Sequence, residues 1–160
     1  MVSEDASIGA RILHSIGEIA APDWNALQAG PSPFLRHEFL SALENSGSAC
    51  EATGWSPRHL VLEDSKGQLK AAMPLYLKDH SWGEFVFDHA WAQAYERTGR
   101  DYYPRLVSCV PFTPITGPRL LLDMDTGFEP ACARVLDTCR ALAGQERASS
   151  LHVLFPDASN

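Results

Sequence analysis

Between residues 68 and 78 every second residue is apolar, and this period narrows the possible folds more than any other feature. Leu69, Ala71, Met73, Leu75 and Leu77 are apolar at every second position, set against Gln68, Lys70, Tyr76 and Lys78. Successive side chains of a strand point to opposite faces, so a period of two over about ten residues predicts a strand with one buried face. Upstream, residues 58–63 carry Leu60, Val61 and Leu62, and Asp64-Ser65-Lys66-Gly67 has turn chemistry, so the pair reads as a hairpin. Pro74 has no N–H to give a ladder and marks a bulge, an edge or a local break.

Two helices declare themselves by their ends. In the first, Ser32 caps, Pro33 takes the opening position, Leu35, Phe39, Ala42 and Leu43 share a face, and Gly47 stops the run. In the second, Thr126 and Glu129 have capping-box spacing. Behind them Phe128, Ala131, Cys132, Val135, Leu136, Cys139, Leu142 and Ala143 step by threes and fours to Gly144, with Arg134, Asp137 and Arg140 on the other side. A short helix over 88–98 ends at Gly99. Further strands are predicted near 11–16 and over 105–110, 120–122 and 151–155. The order implies a mixed α/β (α+β) chain with a largely antiparallel start, with fraying confined to the first several residues and the last four.

Composition removes several classes. The chain has 160 residues, enough to bury a core as one domain over residues 1–160. A formal charge of −7 and the lack of a basic run argue against nucleic acid as a partner. Residues 1–10 have no positive segment followed by an apolar one, and no stretch approaches the roughly 20 apolar residues of a spanning helix, so a cytoplasmic protein with no membrane partner is expected. Cys50, Cys109, Cys132 and Cys139 form no CxxC pair, and the six histidines have no metal-ligand spacing, so no metal is predicted. Packing is the expected role of the cysteines.

Three segments taken together carry a resemblance. They are Thr53-Gly54-Trp55-Ser56-Pro57-Arg58-His59-Leu60, the stretch from Pro74 through Lys78-Asp79-His80-Ser81-Trp82-Gly83-Glu84 to Asp88, and Tyr102-Tyr103-Pro104-Arg105-Leu106 running on to Pro111-Phe112-Thr113-Pro114-Ile115-Thr116-Gly117-Pro118-Arg119-Leu120. Together they resemble a bacterial family of GNAT-like proteins labelled peptidoglycan biosynthesis/recognition, similar to the Fem-type aminoacyl transferases. The resemblance implies an acyl-CoA N-acyltransferase-like fold, a twisted, mostly antiparallel sheet with helices on both faces. It also implies that the chain corresponds to the N-terminal half of a longer protein. GNAT enzymes grip the cofactor pyrophosphate on a Q/R-x-x-G-x-G/A turn at a helix N-terminus. Neither Gly127 nor Arg97-Thr98-Gly99-Arg100 supplies that turn. No cofactor is therefore expected on this chain, and acyl-CoA belongs to the full-length protein.

The candidate chemistry lies between Lys78 and Arg119. An amine nucleophile must lose a proton to a carboxylate or imidazole within reach, which points to Glu84 and Asp88 as catalytic candidates. These two share a face if their stretch is helical, whereas Phe85-Val86-Phe87 suggests a strand that separates them. Lys78, His80, Trp91, Tyr95 and Tyr103 are substrate-binding candidates, joined by Thr113, Thr116 and Arg119 on a proline-rich loop that loses little entropy on binding. The competing readings are a hairpin end with a helix cap at Asp88, aromatic rings serving as core anchors, and a rigid crossover with Arg119 reaching solvent.

Two functions fit. In the first, the chain is half of an N-acyltransferase acting on an amine of a cell-wall precursor or amino-acid conjugate. In the second, it is a non-catalytic ligand-recognition or scaffold module, with an exposed sheet edge favouring a homodimer. A thiol or metal enzyme would need Cys109 and a histidine to converge.

Overall fold

The computed structural model describes residues 8–27, 30 and 32–158. The alternating run is half of a long hairpin that Pro74 divides. Strands β1 (Gly9–Leu13), β3 (His59–Glu63), β4 (Leu69–Met73) and β7 (Leu121–Leu122) form a sheet in the order β1-β3-β4-β7. Strands β2 (Trp55–Pro57), β5 (Tyr76–Lys78), β6 (Arg105–Ser108) and β8 (Leu151–Val153) form another, in the order β2-β5-β6-β8. Neighbours are antiparallel except β6 and β8, which run parallel. The sequence predicts one strand over residues 68–77, but the structure has β4 in one sheet and β5 in the other.

The break is stable because its backbone groups find partners. Pro74 cannot donate, and the ladder lapses there. The Arg58 amide donates to the Leu75 carbonyl at 2.9 Å, carrying the hairpin across the kink. The Leu75 amide donates to Nδ1 of His59 at 3.2 Å, and the Ser108 hydroxyl donates to the Pro74 carbonyl at 2.7 Å, both in the buried interior. With Nδ1 accepting, the His59 proton sits on Nε2, which meets Glu44 Oε1 at 3.0 Å. Glu44 also accepts from the Ser15 hydroxyl at 2.7 Å and the Ile16 amide at 3.0 Å. Burial pulls this carboxyl upward, but the bonds from His59, Ser15 and Ile16 outweigh it and hold the group below its ordinary range.

Both faces of the hairpin are covered, which corrects the one-face expectation: Ala72, Tyr76 and Lys78 are buried along with Ala71 and Met73. Leu60, Leu62, Ala71 and Met73 pack against Ala131, Val135, Cys139 and Leu142 of the long helix Phe128–Glu146. Val61 and Ala72 point the other way, onto Trp24, Leu27, Leu35 and Leu40. The helices are α1 (Ala21–Ala26), α2 (His37–Asn45), α3 (His89–Arg97) and α4 (Phe128–Glu146). The mixed α/β (α+β) reading agrees with this architecture, but the single twisted sheet that the resemblance implies is instead two four-stranded sheets, of which the first has helices on both faces.

Helix ends differ in instructive ways. The helix expected from Ser32 is a 3-10 turn at Pro33–Leu35 followed, after a break at Arg36, by α2, whose buried residue is Leu40 while Ala42 is exposed. The Thr126–Glu129 capping box does not form. Gly127 occupies the cap position, and Thr126 donates its hydroxyl to Asp123 instead. Helix α4 runs past Gly144 and ends where Arg147 turns left-handed at φ 53°. The expectation of frayed ends falls largely on residues 1–7 and 159–160, outside the described residues.

Ser108→Ala removes the hydroxyl that donates to the buried Pro74 carbonyl. It is expected to cost about 1–3 kcal/mol of unfolding free energy, measured by urea denaturation, because the orphaned carbonyl keeps its desolvation penalty.

Candidate functional site

The second sheet ends in charge. The register of β5 on β6 sets Lys78 directly opposite Arg105, and both side chains are fully buried. Residues 79–104 leave the sheet after Lys78 and return at Arg105. Within this excursion Gly83 (φ 81°) and Phe85 (φ 57°) take left-handed backbone, so no strand forms at 85–87. The turn directs Glu84 and Asp88 inward. Glu84 Oε2 and Asp88 Oδ2 both meet the same Arg105 nitrogen, Asp88 at 2.8 Å. Tyr102 donates to Asp88 at 2.9 Å and Tyr103 at 3.4 Å, while Arg105 donates to Nδ1 of His152 at 3.0 Å.

The electrostatics follow from this packing. Burial raises the Glu84 carboxyl despite the nearby Arg105 and Lys78 charges. Burial also raises Asp88, but the Tyr102 hydrogen bond and the Arg105 charge reverse the balance, leaving it below its ordinary value. His152 is lowered by burial and by the adjacent guanidinium. Among the described residues Lys78 has no carboxylate within 4 Å: its Nζ lies 3.7 Å over the Trp55 ring, donates to the Trp82 carbonyl at 3.2 Å and approaches His80 Nδ1 at 3.4 Å. Burial takes its pKa to about 8.

Outside this charged floor the excursion is aromatic. Trp82, Phe85, Phe87 and Trp91 are 77%, 55%, 88% and 67% exposed, and a 280 Å³ pocket is lined by Ser81, Trp82, Gly83, Phe85, Val86, Phe87 and His89. On its other side Trp82 joins Trp55, His80 and Phe112 around a second opening of 450 Å³.

Among known protein families, the FemAB-like family, described as peptidoglycan biosynthesis/recognition, matches residues 15–160. The chain belongs to the FemAB-like family. Comparison with curated proteins and with solved structures gives no match.

In this FemAB-like chain the sequence candidates separate into two groups. Lys78, His80, Glu84, Asp88 and Tyr103 converge on the charged floor, and Tyr95 reaches it by an edge contact with Tyr102 at 5.1 Å. Trp91 faces solvent. Thr113, Thr116 and Arg119 lie elsewhere. Thr113 donates to the Pro111 carbonyl at 3.2 Å, and Thr116 is exposed. Arg119 is buried and donates to the carbonyls of Leu154, Gly117, Pro118 and Ile115 at 2.9, 3.1, 3.1 and 2.6 Å, which makes it a strut tying the proline-rich loop to the segment after β8. Phe112 is that loop's contact with the floor: its amide bonds to the Gly83 carbonyl at 3.1 Å and its ring packs on Trp55 at 5.3 Å.

Arg105 was not among the sequence candidates, and it organises the group. The available signal was a charged residue opening an otherwise apolar strand, since a buried guanidinium requires acids from elsewhere in the chain. Cys109 and Cys139 are buried packing residues, and burial pushes the Cys109 thiol up to about 12, far from a nucleophilic thiolate. Cys132 packs against the core, and Cys50 is half-buried. Among the described residues no group of His, Cys, Asp or Glu is arranged to hold a metal, and no helix is long and apolar enough to cross a membrane.

Lysine occurs at positions 66, 70 and 78 only, so its titration can be followed residue by residue. Nuclear magnetic resonance of labelled lysine should show Lys78 titrating near 8 and Lys70, raised by Asp123, above 10.5. The unfolded Lys78 keeps its proton to about 10.5. The native state therefore binds fewer protons between 8 and 10.5, and Lys78 adds stability as pH rises through that window.

Proposed function

We propose that this chain supplies the acceptor-side wall of a GNAT-like N-acyltransferase that modifies an amine of a cell-wall precursor or a similar amino-acid conjugate. Family membership supports the peptidoglycan setting. The observation that carries the site assignment is the set of exposed rings at Trp82, Phe85, Phe87 and Trp91 on a segment anchored by buried ion pairs. Folding does not require these rings in water. Exposed rings gathered on one segment can stack on sugar and peptide faces.

Within this reading Glu84 and Asp88 act as anchors of the wall. A carboxylate locked onto a guanidinium is poorly placed to take a proton from an amine, so their service as bases would require release from Arg105. The acyl donor, acyl-CoA in this scheme, binds outside this chain, in keeping with the missing pyrophosphate turn.

That missing turn also favours a second reading, a non-catalytic recognition or scaffold module using the same wall, alone or as a homodimer. Acetyl-CoA titration separates the two only when the donor half is present, whereas acceptor binding tests the wall itself. A soluble muramoyl-peptide precursor should quench tryptophan fluorescence saturably. Trp82→Ala and Trp91→Ala should each weaken binding about tenfold, or ~1.4 kcal/mol, with the melting temperature nearly unchanged. Unchanged affinity in the double variant would remove the wall from the site.

A further inference from the structure

The cross-strand pair of Lys78 and Arg105 has no structural justification of its own. Like charges directly opposite each other in a sheet repel, and burying both adds desolvation. Beside acceptors at His152 Nδ1, His80 Nδ1 and the Trp82 carbonyl, the pair gathers donors: the Arg105 fork, the Lys78 ammonium and the Tyr102 and Tyr103 hydroxyls. Such a set suits an anion. The carboxylates now occupying it fit incompletely. Glu84 Oε1 and Arg105 Nε are buried with no hydrogen-bond partner, and among the described residues no carboxylate lies within 4 Å of Lys78 Nζ. Both acids arrive on a segment with left-handed backbone at Phe85, followed by α3, in which no residue is buried.

We propose that Lys78 and Arg105 form a binding site for a ligand carboxylate, that Glu84 and Asp88 occupy it as internal stand-ins, and that residues 79–88 are a lid displaced when the ligand enters. A carboxylate is preferred because the resident groups are carboxylates held on a guanidinium fork. Opening the lid removes both Glu84 and Asp88 from the floor, so a dicarboxylate ligand can take their place without changing its charge. The site does not depend on acyl transfer, since a recognition module would use it equally.

The test is calorimetric titration of the full chain with glutarate, and in parallel with inorganic phosphate. Glu84→Gln removes the internal competitor. It should bind glutarate about tenfold more tightly than the wild type, because apparent affinity is reduced by the fraction of protein whose site is open. Asp88→Asn should tighten binding by a smaller factor, while Lys78→Met and Arg105→Gln should lose it. A purely structural role for Glu84 would give equal or weaker binding in Glu84→Gln, and that result overturns the proposal. Phosphate binding as tight as glutarate overturns the carboxylate assignment. Failure of both Glu84→Gln and Asp88→Asn to fold overturns the lid, because a segment able to leave the site cannot be required for folding.

Discussion

A single buried guanidinium sets the position of everything between the end of β5 and the start of β6. Arg105 lies inside the second sheet, flanked by β5 and β8, where water cannot solvate it. A charge in that position costs several kcal/mol unless acids and acceptors reach it. Glu84, Asp88, Tyr102 and His152 all do. The path of residues 79–104 follows from that requirement, and so does the outward display of Trp82, Phe85, Phe87 and Trp91.

The molecule therefore combines two kinds of cohesion. Around the first sheet the hairpin is sealed by apolar packing on both faces, with α4 on one side and α1 and α2 on the other. Around the second sheet the cover is held by charge and hydroxyl contacts, and α3 contributes no buried residue. Segments with few buried apolar contacts open at lower free energy than the core beneath them, a property suited to a surface that must admit a ligand. The kink at Pro74 is where the two regimes meet, with His59 and Ser108 satisfying the backbone groups that the proline leaves behind.

Much of the apolar regime was legible in the sequence because periodicity reports burial. The hairpin, α3 and α4 followed from local pattern and turn chemistry, whereas Pro74 left a bulge, an edge and a local break equally open. Lys78 and Tyr76 were misplaced on a polar face because alternation cannot show that the second face is also covered. The strand expected at 85–87 failed because backbone at Gly83 and Phe85 obeys the distant demand of Arg105 over local β propensity. Arg119 resembled a ligand clamp in sequence, but its fork is engaged by main-chain carbonyls. Glu84 and Asp88 were found as residues, while the partner that unites them was not, because nothing local links an acid on a loop to an arginine opening a strand 21 residues later.

Hydrogen–deuterium exchange on Arg105→Met measures this account most directly. If the guanidinium anchors the excursion, amides of residues 79–101 should lose protection while those of β3 and β4 keep it. Uniform loss across the chain, or unchanged protection of residues 79–101, would contradict the account.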